Sequence, residues 1–299
     1  MQPPRLTPSA PSDDGAPPAL FDRAVWLARR ARRGLPRPDA QFLHEAALES
    51  VEDRLSLVAR DFPRAALVWP GAPVWGRLAT HPSVGALDTA PLTVEETLPL
   101  APGAYDLAVL GLTFHWLNDP VGALIQLRRA LRPDGLLLVC GLGGETLAEL
   151  RLALAEAEAE EEGGLSPRVS PMGEIRALGA LLQRAGLAMP VADAERLDVT
   201  YADPLALMRE LRAMGETNAL AGRRRGLTRR ATLARAAAIH AERFAAPQGR
   251  VRATFEIVTL TGWAPGPDQP RPKRPGSAAA RLADALGTQE RPAGEKAGG

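Results

Sequence analysis

Short apolar runs alternate with helical stretches through the middle of the chain. The apolar runs predict strands at 65–69, 83–88, 104–112, 136–140, 194–203 and 250–265. Apolar residues that recur every three or four positions predict the helices between and after them, at 119–131, 144–164, 172–187, 204–216 and 228–245. Strands that alternate with helices are typical of a parallel sheet covered on both faces, so we expect an α/β fold.

Two further helices precede the first strand. A basic stretch from residue 21 predicts a short helix that ends at Gly34, and Asp39 is expected to cap a longer helix at 40–60. The apolar residues of the longer helix fall on one face: Leu43, Ala47, Val51, Leu55 and Val58. Because this helix comes before the alternating pattern, we expect it to stand outside the α/β order of the domain and to lie over one edge of the sheet.

The composition predicts one folded domain between two polar segments. Residues 1–19 are rich in proline, which predicts a disordered segment, and residues 266–299 predict a flexible tail with one short helix near 277–286. Residues 20–265 carry the strands and helices and are expected to form a single domain. The formal net charge of +1 argues against a nucleic-acid-binding protein.

Cysteine usage and targeting signals bear on the compartment. The one cysteine, Cys140, cannot form an internal disulfide or a cysteine-based zinc site. No apolar run approaches the roughly 20 residues that a membrane helix needs. Residues 1–19 lack the apolar centre of a signal peptide and the arginine-rich character of a transit peptide. We therefore expect a cytoplasmic protein without a transmembrane segment.

Glycines and polar residues occur where the predicted strands end. Gly71 lies in the loop after the first strand, and Asp88 ends the second strand. His115 follows the third strand, and Glu145 follows the fourth. Because the carboxyl ends of parallel strands meet at one edge, where open α/β sheets bind their ligands, these residues predict a site at that edge.

Several strings of the chain resemble known families. The segment EETLPLAPGAYDLAVLGL, followed by LRRALRPDGLLLVC, resembles the class I SAM-dependent methyltransferases that act on malonyl-acyl-carrier protein in the biotin pathway. A narrower resemblance over about residues 21–280 is carried by FDRAVWLARRARR, LTFHWLNDPVGAL, GGETLAELR and LRAMGETNAL. These strings are similar to the respiratory complex I assembly factor 5 family. That family is methyltransferase-like, and its mitochondrial members are assigned hydroxylation of an arginine on a complex I subunit.

The resemblance implies a class I methyltransferase fold, which is Rossmann-like. This fold has a seven-stranded, mostly parallel sheet with helices on both faces, here with added helices and with 250–263 inserted antiparallel beside 194–203. It also implies the cofactor S-adenosyl-L-methionine (SAM), held by a glycine-rich turn after the first strand and an acid on the second. Gly71 and Asp88 occupy two of these cofactor-binding positions, and the helix at 40–60 would lie over this edge. The alternative for Asp88 is an ordinary aspartate that caps a turn.

Other expected cofactor groups are replaced. Trp69 stands where an acid should end the first strand, and Val94 stands where the family has an aspartate. Pro73 and Trp75 replace the second and third glycines of the turn. Proline has a fixed φ and no N–H to donate, and an indole is bulky where little space is expected. The sequence therefore predicts weak or absent SAM binding.

His115 and Glu145 are the candidate catalytic residues. His115 is suited to acid–base chemistry near neutral pH, or else it is a structural residue near the start of the next helix. Glu145 could bind a substrate guanidinium, with Glu149 and Glu216 adding acids to the same cleft, or else it simply lies at a helix start. None of the four histidines forms an HxD or HxxxH pair, so we expect no protein-bound metal.

Two functions are open at this point. One is an enzyme of the methyltransferase superfamily that modifies an arginine of a complex I subunit. The alternative is a non-catalytic assembly chaperone with a degenerate SAM site, whose outer helices at 204–245 would face the partner. The acidic run at 160–162 is either a solvated face or a surface for a basic partner.

Overall fold

The computed structural model describes residues 18–34, 40–69, 71–267, 269, 283–284 and 287–288. The chain divides into two units, residues 1–266 and 267–299, and the helices and strands given below lie in the first. Asp39, residues 1–17 and most of the predicted helix near 277–286 lie outside the described residues. The predicted boundaries of the N-terminal segment (1–19), the domain (20–265) and the C-terminal tail (266–299) stay predictions.

One sheet forms the centre of the first unit. Its strands are β1 (Phe62–Trp69), β2 (Val84–Pro91), β3 (Tyr105–Leu110), β4 (Leu131–Leu142), β5 (Ala188–Tyr201), β6 (Ala245–Ala246) and β7 (Arg250–Trp263). In the described residues the sheet has 7 strands in the order β2–β1–β3–β4–β7–β5, and β6 pairs with β7. The first four strands are parallel neighbours, whereas β7 runs antiparallel to both β4 and β5. The expected seven-stranded sheet with an antiparallel insertion is confirmed, although the sequence did not predict the two-residue β6.

Helices cover both faces of this sheet. They are α1 (Arg23–Arg33), α2 (Phe42–Leu57), α3 (Pro120–Ala130), α4 (Ala148–Glu162), α5 (Ile175–Arg184), α6 (Pro204–Met214) and α7 (Arg230–Arg243). Side chains alternate along each strand, so Leu107 and Val109 of β3 join one core cluster, whereas Ala108 and Leu110 join the other. Helices α2, α4, α6 and α7 pack in the first cluster, and α3 and α5 pack in the second.

Four residues of the predicted apolar face of α2 are confirmed, but the fifth, Val58, follows the end of the helix at Leu57, and the predicted start is wrong. The side chains of Leu43, Ala47, Val51 and Leu55 are fully buried. The helix begins at Phe42 rather than residue 40, with Gln41 at the N-cap position. Gln41 makes no capping bond, because its side-chain oxygen accepts the N–H of the loop residue after β1, Val74, at 3.2 Å. The start of α2 is therefore joined to the loop that follows the first strand.

The acidic end of α4 binds residues of this chain. Glu160 pairs with Arg235 at 2.5 Å, and Glu162 accepts a 2.8 Å hydrogen bond from Thr232 and pairs with Arg224. These contacts fasten α7 and the segment before it to the end of α4, where unpaired carboxylates would be unfavourable beside the helix dipole.

No helix among the described residues is long and apolar enough to cross a membrane.

Candidate functional site

The loop after β1 has one glycine in the conformation expected of a cofactor turn, and the residues after it form a short helix instead of the expected turn. Gly71 has φ +84°, and no atom lies within 4 Å of the position where a Cβ would stand. Pro73 opens a 3₁₀ helix that extends to Thr80. Trp75 is fully buried in this helix and donates a 3.2 Å hydrogen bond to Nδ1 of His44 on α2. The indole that replaces a glycine thus fills the core between α2 and the loop.

Asp88 lies within β2 rather than at its end. The strand continues to Pro91, and the Asp88 carboxylate pairs with Arg64 at 2.9 Å in an exposed position. Burial and a hydrogen bond to Asp88 raise the pKa of Tyr105. Because Arg64 is near the start of β1 and Tyr105 begins β3, the Asp88 side chain points away from the edge that holds Gly71. Its role as a ribose ligand stays a prediction.

His115 joins the end of β4 to the segment after α6. The N–H of Leu142 donates to Nδ1 of His115 at 3.2 Å, and Nε2 lies 3.2 Å from the Glu216 carboxylate. Because Nδ1 accepts a hydrogen bond, the ring hydrogen is on Nε2 and is donated to Glu216. His115 does not cap α3, since the Asp119 side chain accepts the N–H of Gly122 at 2.8 Å.

Glu216 is the buried anion of this edge. The same carboxylate oxygen that meets His115 accepts a 2.8 Å hydrogen bond from the indole of Trp116, and the other oxygen lies 3.5 Å from Arg30 of α1. Burial acts to raise the pKa of Glu216. The hydrogen bond from His115 and the charge of Arg30 outweigh burial and lower that pKa to about 2. Glu216 is therefore ionised: one carboxylate oxygen is held by His115 and Trp116, and the other lies near Arg30 without a hydrogen-bond partner among the described residues.

A cavity of about 290 Å³ lies beside this carboxylate. Its walls come from the carboxyl edge of the sheet, from α4, α6 and α7, and from the loops near residues 168–172 and 216–218. The lining residues are Trp116, Leu142, Leu147, Leu150, Leu154, Arg168, Val169, Ser170, Met172, Met208, Leu211, Arg212, Glu216, Thr217, Asn218 and Leu233. Neither His115 nor Glu145 is among them, so the two predicted catalytic residues do not share this cavity.

Glu145 lies on the surface of the turn between β4 and α4. Its carboxylate, 57% exposed, pairs with Arg196 of β5 at 2.9 Å. The predicted helix start at residue 144 is wrong, because Leu147 adopts φ +55° and α4 begins at Ala148. The catalytic role of Glu145 stays a prediction.

The space beside Gly143 is filled by a residue of β7 and not by a ligand. A Cβ on Gly143 would stand 2.3 Å from a carboxylate oxygen of Glu256. The next acid, Glu149, is buried and accepts hydrogen bonds from the hydroxyl and the N–H of Thr254 at 2.6 and 3.1 Å. The expectation that Glu145, Glu149 and Glu216 face one cleft is therefore wrong, since the first two are held by β5 and β7.

The sequence analysis missed the contacts that anchor the N-terminal segment. Glu96 accepts the N–H groups of Asn118 and Asp119 at 2.8 and 2.9 Å, and its carboxylate lies 3.3 Å from Nε of Arg23. The Asn118 side chain exchanges two hydrogen bonds with the backbone of Phe21, at 2.8 and 3.1 Å. The segments EETLP, HWLND and FDRAVW lie apart in the sequence, and their contacts in the fold give each a structural role. In the described part of the chain, no group of three or more metal-ligating side chains is positioned to hold an ion.

Comparisons with known proteins give a family match, sequence relatives and a solved structure. Residues 77–139 match the methyltransferase domain family, and the match begins after the altered loop. The chain is 37% identical over 289 residues to arginine-hydroxylase NDUFAF5, mitochondrial, of Danio rerio, covering 89% of each protein. It is 40% identical over 179 residues to the malonyl-[acyl-carrier protein] O-methyltransferase of Laribacter hongkongensis, covering 60% of this chain and 57% of that relative. The crystal structure of the YcgJ protein from Bacillus subtilis aligns with a TM-score of 0.43 at 13% identity, covering 74% of this chain and 99% of that one.

These findings decide two of the expectations. The domain match, together with the antiparallel insertion of β7, confirms a class I methyltransferase fold, the fold of SAM-dependent methyltransferases. The prediction of a cytoplasmic protein is contradicted, because the Danio rerio relative is named as a mitochondrial protein.

Proposed function

The chain belongs to the family of arginine-hydroxylase NDUFAF5, and from that membership we propose that it assists the assembly of respiratory complex I by binding a segment of one of its subunits. The observation that carries this proposal is the 290 Å³ cavity at the carboxyl edge of β4. A concave, mostly apolar cavity with a few polar groups is the usual form of a binding site. The complex I partner rests on the family resemblance.

The charges around the cavity favour binding over chemistry on an arginine. The described residues that line it include two arginines, Arg168 and Arg212, and one carboxylate, Glu216. That carboxylate already accepts hydrogen bonds from His115 and Trp116. An incoming guanidinium would therefore meet two like charges and a carboxylate already shared by residues of the chain, whereas an apolar side chain would suit the leucines and methionines of the wall.

The residues of the cofactor loop do not fit tightly bound SAM. Gly71 has the backbone conformation that a cofactor turn needs, but Pro73 has no N–H and Asp88 is paired with Arg64. Trp75 is enclosed in the core and cannot leave without opening a cavity. We therefore assign no step to SAM, and the proposed binding role needs none.

Modification of an arginine is the second candidate function. It is favoured by the name of the relatives, which are called arginine-hydroxylases. The two candidates differ in their product, because a binding protein leaves the subunit unmodified. Mass spectrometry of complex I subunits from cells with and without this protein distinguishes them.

The test of the proposal is deletion of the gene followed by complementation. We expect the deletion to lower NADH:quinone oxidoreductase activity and the content of complex I in membranes. Val169→Trp fills the cavity and should fail to restore either, whereas the matched control Val191→Trp, on the exposed edge strand β5, should restore both. Normal complex I content in the deletion strain would reject the role.

A further inference from the structure

A second, open cavity of about 800 Å³ lies between α1 and α6, and five arginines line it. The full lining, which we call the basic groove, is Arg29, Arg32, Arg33, Arg209, Arg212, Ala213 and Thr217. None of these lining residues is acidic. Arginines spaced about one helical turn apart on two neighbouring helices thus place their guanidinium groups around one opening.

Contacts within the chain leave much of this charge uncompensated. Among the described residues, neither Arg32 nor Arg212 has an ion-pair partner. The Nε of Arg33 is buried without a hydrogen-bond partner in the same part of the chain. Burial, together with the charge of Arg212, lowers the pKa of Arg33. Groups of like charge held this close are stabilised by an anion that lies between them.

The other two arginines have weak or neutral partners. Arg29 donates to the carbonyl oxygen of Asn218, which satisfies a hydrogen bond but not a charge. Arg209 lies 3.6 Å from Asp203, and both side chains are largely exposed. An exposed pair of this kind contributes little to stability. Both guanidinium groups therefore remain available to an anionic ligand.

The basic groove adjoins the cavity of the proposed function. Arg212 and Thr217 line both of them. A polypeptide that places one side chain in the cavity would therefore run its neighbouring residues across the groove. The volume of the groove is that of several residues of a peptide rather than that of a single small ion.

We propose that the basic groove binds a carboxylate-rich segment of a partner polypeptide, next to the side chain that enters the cavity. This inference rests on the proposed function, because it places the groove and the cavity on one polypeptide. The planar fork of arginine suits carboxylates, and several such pairs would fix the direction of the chain. Single-stranded nucleic acid is disfavoured because the groove has no aromatic side chain on which bases could stack.

The experiment measures binding of fluorescent hexaglutamate to the full-length protein at about 0.15 M salt, with hexaglutamine as the uncharged comparison. We expect hexaglutamate to bind and hexaglutamine not to bind. Arg32→Gln/Arg212→Gln should weaken hexaglutamate binding at least about tenfold. The matched control, Arg176→Gln/Arg184→Gln, removes two exposed charges from α5 and should leave binding unchanged. Equal weakening in both variants, or no binding by the wild type, would overturn the proposal.

Other occupants give different results. If a single-stranded oligonucleotide displaces hexaglutamate at lower concentration than unlabelled hexaglutamate does, the groove is a nucleic-acid site and the proposal is wrong. If Asp13→Asn/Asp14→Asn increases the affinity for hexaglutamate, the groove takes the acidic N-terminal segment of this chain instead. Photocrosslinking of a benzophenone-bearing hexaglutamate to the wild type needs no variant, and adducts confined to regions outside α1, α6 and the segment that reaches Thr217 would also overturn the proposal. All these outcomes are independent of the deletion test. The proposal for the basic groove can therefore be rejected while the proposed role in assembly is retained.

Discussion

The carboxylate of Glu216 accepts a 2.8 Å hydrogen bond from the indole nitrogen of Trp116. Trp116 follows β3 and Glu216 follows α6, so this bond joins the sheet edge to the segment between α6 and α7. Arg30 brings α1 to the same carboxylate at 3.5 Å. Three parts of the chain that are distant in sequence thus converge on one buried negative charge, which makes that charge a sensitive point for stability.

Replacing Glu216 with glutamine should lower the free energy of unfolding by about 3 kcal/mol, because the ion pair that it forms with Arg30 is lost from a largely buried position. Glutamine keeps the shape and an acceptor oxygen for Trp116, so the effect reports mainly the charge. Urea unfolding at neutral pH measures it. The matched control is Glu145→Gln, which breaks an exposed pair with Arg196 and should cost less than about 1 kcal/mol. Similar losses in the two variants would contradict the assignment.

Glu96→Ala should destabilise the protein and release α1. The substitution removes the acceptor for the N–H groups of Asn118 and Asp119 and the counter-charge of buried Arg23, at a cost of about 3–5 kcal/mol. Limited trypsin digestion should then cut within α1 faster than in the wild type. Glu95→Ala is the control, since Glu95 is the exposed neighbour of Glu96 and should leave the cutting rate unchanged. Protection of α1 in Glu96→Ala would refute its anchoring by Glu96.

The strands could be predicted from the sequence because their signal is local. Four of the strands, β1, β3, β4 and β7, are buried over most of their length, so they appear as apolar runs. The long run at 250–265 became β7, with Phe255 and Leu260 fully buried. Helix starts were less accurate, since they depend on tertiary contacts. The start of α4 is delayed by Leu147, whose backbone N–H donates to Thr254 of β7.

The position of His115 could be predicted from the sequence, but its contacts could not. The edge that carries His115 was correctly placed, because strand ends in parallel sheets share one edge. What His115 contacts could not be read from spacing, since Leu142 and Glu216 are 27 and 101 residues away along the chain. Only the folded chain shows that the acid expected to meet a substrate is occupied by its own residues.

His44 should make stability depend on pH below neutrality. Burial lowers the pKa of His44 from 6.5 to about 4, so between these values the unfolded chain binds a proton that the folded chain does not. The free energy of unfolding should therefore fall as the pH is lowered from 6.5 to about 4, by up to about 1.4 kcal/mol per pH unit. It should gain nothing from this residue above pH 6.5. Burial raises the pKa of Glu216, but its contacts outweigh burial and lower that pKa from 4.5 to about 2. The stability that the ionised Glu216 contributes is therefore fully present above pH 4.5, and it should be lost as the pH falls from 4.5 to about 2.

The test for His44 uses asparagine, whose side-chain oxygen can replace Nδ1 as the acceptor for Trp75. His44→Asn removes the titrating ring, so its free energy of unfolding should vary less than that of the wild type between pH 6.5 and 4. Urea unfolding across this range measures both slopes. Parallel curves for the two proteins would show that His44 is not the group responsible.

SAM should bind weakly or not at all, and restoring one glycine should not rescue it. The loop lacks the N–H of residue 73, and losing two or three such contacts at about 1–3 kcal/mol each lowers affinity by several orders of magnitude. Trp75→Gly recovers a glycine of the expected turn but removes a fully buried indole, which should cost about 3–5 kcal/mol of stability. Calorimetric titration of the purified wild type with SAM is the direct measurement. A dissociation constant in the micromolar range, weakened further by Asp88→Asn, would show instead that the loop binds the cofactor in a different arrangement and that Asp88 holds the ribose.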